Sequence, residues 1–565
     1  MRATRLSNHS MRTRRAVVTP FVLQDLPDGV IDQVLSLLDG DQASKGALRA
    51  MSRGCRDEVD VSTTMLSLAA TSAASQSGAG PDIAPLGLPE ALLGRCKSLE
   101  ILKADGVRSL RSLRGCPATL RIVLTSLTSV SDLGPLRACG MHLRVLHISR
   151  TLVADLGPLK ACLGLEQLFC DDNAKVTSLA PLSGLLRLSM LSLKSTSVAD
   201  LRPLRACTSL EWLSVKGTLV SNLRPLATCS RLRSLDLDQT KVENLRPLAS
   251  CAALEALHVR GTRASDLRPL ASCTGLVTLY LNDTNVDDLS PLSRLMALKY
   301  LGCEAISASD LRPLASCVDL RFISIDFCRN VTSLAPLSAC TRLELVSLRL
   351  TMVADLAALS ACTELHTFDC NGSVEVADLA PLSSCTKLRV ANFRNTRVAD
   401  LTPLSSCPRL ADVDCSCSAV SDLSPLSSCV HLRILSAAHT TVADVGPLSA
   451  CVGLRGLDIE WSRVADIAPL SSCTSLEAVV LGRTLVADLS PLSACTRLTS
   501  LDCSRTCVTD LMPLHGCTGL QTIICHSSGV TSAGLTAFQI AAAFHRLGGQ
   551  GPPRTPLEGG PGGAR

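Results

Sequence analysis

Aromatic side chains are nearly missing from this sequence. Its 565 residues hold two Trp, two Tyr and eight Phe, although 46% of the chain is hydrophobic. An ordinary globular core uses more rings than that, so the apolar content points to a shallow, repetitive core built from Leu, Val, Ala and Cys. Strong charge of one sign is absent too. A formal net charge of +5 does not suggest nucleic-acid binding, which calls for clustered Lys and Arg. No apolar run is long enough to predict a transmembrane helix. The N-terminus "MRATRLSNHSMRTRRAVVTPF" is Arg-rich and acid-free but lacks the apolar centre of a secretory signal. It reads as a basic, disordered tail (residues 1–20), with a mitochondrial presequence as the other reading. The 28 Cys are therefore expected as free thiols in a reducing compartment, the cytoplasm or nucleus.

Motifs for chemistry are lacking as well. The chain has no P-loop, no H-E-x-x-H and no G-x-S-x-G. Without C-x-x-C pairs or His in matching phase there is no metal signature. No catalytic residue, cofactor or metal is assigned, and the protein is not expected to be an enzyme.

What is present is repetition. "LRPLASC" at Leu245–Cys251 returns unchanged at Leu267–Cys273, 22 residues on. The Pro-Leu landmark recurs from Pro135 to Pro513, with Ala358 in its one gap, at steps of 22 residues and four of 23. The consensus is LxxLxLxxTxVxDLxPLxxCxx, in about twenty units counting degenerate copies at the start. This pattern resembles the leucine-rich repeat, and its V-x-D-L-x-P-L half resembles the internalin-type 22-residue class. The expected fold is an α/β repeat solenoid over residues 98–531, with a small helical module before it. Alternation in "LxxLxL" sends leucines to the core of a short strand, and "DLxPL" suits a turn into a helical segment that the Asp can cap and Pro can open. At about 4.8 Å per rung, the array predicts a curved rod on the order of 95 Å along its sheet.

The family's ladder Asn is replaced mostly by Thr or Ser, as at Thr151, Thr196, Thr218, Thr240 and Thr284. Cys holds the "PLxxC" slot in 16 of 18 landmark units, and Leu185 and Leu295 hold the other two. Exchange between Cys and Leu marks a buried apolar position, because free Cys packs as a small hydrophobe.

If the leucines face inward, the alternate strand positions form the concave surface. Seven of the twelve aromatic residues fall there: Phe169, Trp212, Tyr280, Tyr300, Phe322, Phe327 and Trp461. Rings pointing away from a core are candidate protein-binding anchors, and these seven are the expected substrate-binding residues. The bland reading is that they simply cover the inner sheet. A second stripe, Arg202, Arg224, Arg246, Arg268 and Arg312, lies at the turn after the strand. It is either a solvated row paired with Asp or a site for an acidic partner.

Ahead of the repeats, "LPDGVIDQVLSLLDGDQASKGALRAMSRGCRDEVD" (Leu26–Asp60) has apolar residues at helical spacing. Its Leu-Pro start, Leu38-Asp39 and "MSRGCR" make residues 21–60 resemble an F-box, with Gly29 in place of an acid and Cys55 in place of an aromatic. The resemblance implies docking on the Skp-type adaptor of a cullin-RING ubiquitin ligase through Leu26, Pro27, Ile31, Val34, Leu35 and Leu38, while the repeats recruit a protein substrate. No nucleic acid, membrane or small molecule is expected as a partner. A plain helical cap is the competing reading, which leaves a generic intracellular scaffold, for instance a phosphatase regulator. An exported adhesin is disfavoured by the missing signal and the thiol-rich core. Residues 61–97 are expected as linker and cap, 532–548 as a C-terminal capping helix, and the Gly/Pro-rich 549–565 as a disordered tail.

Overall fold

A computed structural model describes residues 65–68, 100–104, 109–111, 113, 120–125 and 129–546. The expected tail, F-box-like module and Gly/Pro tail, including Leu26, Pro27, Ile31, Val34, Leu35 and Leu38, lie outside the described residues.

The repeat folds as a leucine-rich-repeat solenoid with one 21-stranded sheet. Strands of three or four residues run from Met65–Leu68 to Thr522–Ile524, with short 3-10 segments on the opposite side of the coil. Neighbouring rungs pair in parallel register, as in Leu235 beside Leu257 and Leu257 beside Leu279. The strand Met65–Leu68 pairs with Ile101–Ala104. The sheet thus starts inside the stretch expected to hold only linker and cap.

Inside each coil the leucines, valines and cysteines form one continuous apolar column from Leu102 to Phe538. A single rung has two open apolar faces; stacking closes them, and the core exists only as an array. All 25 described cysteines are free and 22 are buried. The ladder thiols point at backbone carbonyls of the preceding rung: Cys273 Sγ lies 3.5 Å from the Cys251 oxygen and 3.7 Å from that of Leu248.

The "DLxPL" turn works differently from the expected cap. The residue at the capping position is the Leu, near φ −90° and ψ 0°, with no side-chain bond of its own. The Asp one place earlier accepts the backbone N–H two residues ahead, as in Asp155 to Gly157 at 2.7 Å and Asp200 to Arg202 at 2.9 Å. Pro then stands within the first turn, where its missing N–H costs nothing.

Two further bond sets stitch the coil. Thr218, Thr240 and Thr284 each donate a buried hydroxyl at 2.6 Å to the carbonyl three residues back, closing their own turn. Asn173, the amide at the same position, does more. It donates to Ile148 of the rung before and accepts the Thr151 N–H, tying two rungs, as the Ser373 hydroxyl does with Leu348 and Thr351. On the 3-10 side, Ser250, Ser272 and Ser472 donate across the gap to Ala227, Ala249 and Ser449 at 2.8–3.0 Å.

At the C-terminal end the helix Ser532–Arg546 closes the column, with Phe538 buried against the core. Thr531 caps the helix by accepting the Gly534 N–H.

Candidate functional site

Three aromatic groups stand on the inner surface and its exit edge. The central one spans the rungs from Ala256–His258 to Thr367–Asp369. Tyr280 lies between His258 and Phe322, with ring centroids 5.0 and 6.4 Å away and edge-to-face geometry. The Arg260 guanidinium stacks on Tyr280 at 3.9 Å. Gly302 makes room for this arrangement, since a Cβ there would come within 2.7 Å of the Tyr280 ring. Tyr300, one rung on, is 39% exposed, and Phe322 beside it is half-buried.

The same group continues onto the edge where the strands exit. Phe327, Arg349, Leu350, Asn371, Gly372, Val374 and Asn395 line a cavity of about 410 Å³. Phe327, Leu350, Met352 and Val374 all remain exposed around it. Arg349 is fixed in place: its Nε donates to Asp326 at 2.6 Å, and its backbone N–H bonds the same carboxylate at 2.8 Å. Asp326, 2% exposed, also accepts the Ser347 hydroxyl, so the buried charge is fully partnered. Across from it, burial raises the pKa of Asp369, with the N–H of Asn371 and the charge of Arg349 working against the rise.

A second group stacks along the exit edge. His439 and Trp461 are parallel within 23° at 5.5 Å, and the Arg483 guanidinium covers the other side of the indole at 4.0 Å. Trp461 and Phe327 were expected on the strands themselves. Both sit in the turn just after the strand, at φ +57° and +63°. That left-handed position recurs along the array, at Gln239, Asp283, Leu350 and Arg505 among others. It disfavours any side chain with a Cβ, and the rings are held there with 47% exposure each.

The third group corrects an expectation. Trp212 does not project into solvent; it is only 4% exposed, beside Met190, which is equally covered. Phe169 lies 6.3 Å from its ring and Lys194 Nζ 5.8 Å. Trp212 lines the inner face as packing, with Phe169 half-buried against it.

Asp236, Asp238 and His258 bring three potential metal-ligating atoms within 4.8 Å of one another. No signal of spacing in the sequence had marked them. Their charges are already answered: Lys216 lies 3.6 Å from Asp238, the backbone N–H of Arg260 donates to Asp238 while its charge also acts on that carboxylate, and Ser214 donates to Asp236. Burial, and next the charge of Asp236, raise the pKa of Asp238. Two cations beside two carboxylates oppose a divalent ion.

The Arg stripe divides. Arg202, Arg268 and Arg312 fold back on the carboxylates of Asp200, Asp266 and Asp310 at 2.8–2.9 Å. Arg224 and Arg246 follow Asn222 and Asn244 instead.

No family model matches the chain and no curated protein matches it in sequence. Solved structures do share the fold. An internalin, inlF, from Listeria monocytogenes is 24% identical with a TM-score of 0.50, covering 51% of this chain and 85% of its own. The functional domain of InlJ from the same organism, described as including a cysteine ladder, is 18% identical with a TM-score of 0.50, covering 65% and 74%. The plant peptide hormone receptor RGFR1, solved in complex with RGF2, is 16% identical with a TM-score of 0.51, covering 78% and 84%.

Proposed function

We propose that this solenoid is a protein-interaction scaffold that captures an extended polypeptide across the central aromatic group of its inner face. One observation carries the reading: Tyr300, Phe322, Phe327 and Arg349 occupy three successive rungs, Phe327 and Arg349 line an open cavity, and Asp326 holds Arg349 in place. Rings and guanidinium groups anchored this way lose little entropy on binding, which is what a hot spot requires. RGFR1, a fold relative, is a peptide hormone receptor solved with RGF2 bound; a peptide or protein ligand is proposed here on the same architecture.

The finer proposal adds the F-box-like segment. Residues 26–38 would dock on a Skp-type adaptor in the cytoplasm or nucleus, making the chain a substrate receptor of a cullin-RING ligase. The support is the sequence pattern Leu26-Pro27 through "MSRGCR". Two arms separate the proposals. A pulldown of the full chain with a Skp adaptor, beside Leu26→Ala/Pro27→Ala/Ile31→Ala, tests the adaptor: equal recovery of both, or of neither, rejects it. Proximity labelling with wild type and Tyr300→Ala/Phe322→Ala tests the face. Proteins lost in the double variant are its ligands, and an unchanged profile rejects the inner-face site.

A further inference from the structure

The turn preceding each 3-10 segment supplies a control that the chain itself has run. In nineteen rungs the same side chain accepts the backbone N–H two residues on; Asp does so in fourteen, Ser in three and Asn in two. Asn222 and Asn244 make that bond at 3.0 and 2.9 Å, no worse than Asp. Folding therefore does not need the charge at these two places. The two Asn stand on adjacent rungs, and both are followed by Arg.

The consequence is electrostatic. Wherever Asp precedes Arg in this turn, the guanidinium folds back onto it, with two bonds at 2.8 and 2.9 Å for Arg268 on Asp266. Among the described residues no ion pair forms at Arg224 or Arg246. Glu243, next to Asn244, is taken by Arg263 at 3.1 Å. Asp266 feels Arg246 only as the weakest influence on its carboxyl, which its own Arg268 already holds. Arg205 is exposed on the rung before, its carbonyl bonded by Thr228 of the Arg224 rung.

We propose that Arg224 and Arg246, flanked by Arg205, form a second docking site, on the outer 3-10 side of the coil, for a short acidic polypeptide segment. The site is two rungs wide. Asp200 bounds it on one side and Asp266 on the other, so a long phosphate backbone running along the row would meet both carboxylates. An extended segment with acids at alternate positions carries them about 6.7 Å apart on one side, a spacing that two long arginine side chains rooted one rung apart reach by splaying slightly.

The test uses the full chain and a fluorescein-labelled ten-residue peptide of alternating Asp and Ser, followed by anisotropy at about 25 mM salt, where screening is weak. Asn222→Asp/Asn244→Asp should keep the turns and the melting curve, yet weaken binding roughly tenfold by re-pairing the arginines. Arg224→Gln/Arg246→Gln should do the same, while Arg409→Gln, at an exposed arginine well along the array, should leave the affinity alone. Undiminished binding by the Asn-to-Asp variant overturns the proposal, as does equal binding of a peptide with Asn in place of Asp. Tighter binding of a twelve-nucleotide single strand through the same arginines would assign the site to nucleic acid instead.

Discussion

Raising the pH above 9 should unfold the solenoid, and the cysteine ladder sets the size of the effect. Burial, with neighbouring thiols next, pushes Cys251, Cys451 and Cys495 up to about 11 from an ordinary 9.0. Burial likewise pushes Cys340 and Cys407 up to about 12. The folded state holds these protons more tightly than the unfolded chain does. Their contribution is thus complete below pH 9 and is lost as the pH rises from 9 through 11. Over that window each such thiol costs about 1.4 kcal/mol per pH unit. Several ladder thiols acting together approach the whole stability of a typical domain near pH 10. Guanidinium unfolding followed by circular dichroism from pH 7.5 to 10.5 should show a midpoint that is flat to about 8.5 and then falls steeply. The same raised pKa values predict slow alkylation. At pH 8 a buried thiol at about 11 is almost wholly protonated and closed to reagent, so iodoacetamide with peptide mapping should label exposed Cys507 long before Cys251 or Cys340. A midpoint unmoved up to pH 10.5, or ladder thiols labelled within about threefold of Cys507, would refute the reasoning.

Replacing Trp212 with Ala should cost about 3 kcal/mol in denaturant unfolding, as for a core ring, while Trp461→Ala should stay within about 1 kcal/mol; equal costs would mean that the covering of Trp212 by Phe169 and Lys194 is misjudged. Thr240→Val strips the Leu237 carbonyl of its buried 2.6 Å partner and should cost about 1–2 kcal/mol by the same measurement, against nearly nothing for a surface Thr-to-Val control.

The repeat itself was legible because its signal is redundant. Pro and Leu recur in phase over some eighteen units, and exchange of Cys251-type residues with Leu185 and Leu295 exposes an apolar slot without any knowledge of the coil. Facing was legible as well, since alternation in a strand fixes which side chains point inward. Covering was not. Trp212 and Tyr300 hold the same place in their rungs, but Trp212 has Met190, Phe169 and Lys194 around it, and the phase of a residue carries no information about its neighbours' size. The left-handed turn was also hidden, because Trp461 and Phe327 look like a continuation of the strand when only the two-residue period is read. For the Asp of "DLxPL", the residue type announced a turn, and only the folded coil shows which N–H it accepts. Cross-rung bonding by Ser250 and its equivalents went unseen because "PLASC" reads as a surface tract.

The left-handed position in every turn has a practical consequence for anyone redesigning the array. Fifteen non-glycine residues occupy it, and each gives up about 1 kcal/mol or more relative to Gly. Averaging the rungs toward a Gly consensus at that position should therefore yield a markedly hardier rod. It would also erase Phe327, Leu350, His439, Trp461 and Arg483, the side chains that make one stretch of the edge different from another. A stabilised consensus version of this protein would keep its shape and lose its individuality, so its melting temperature and its ligand range should be tuned at different positions of the coil.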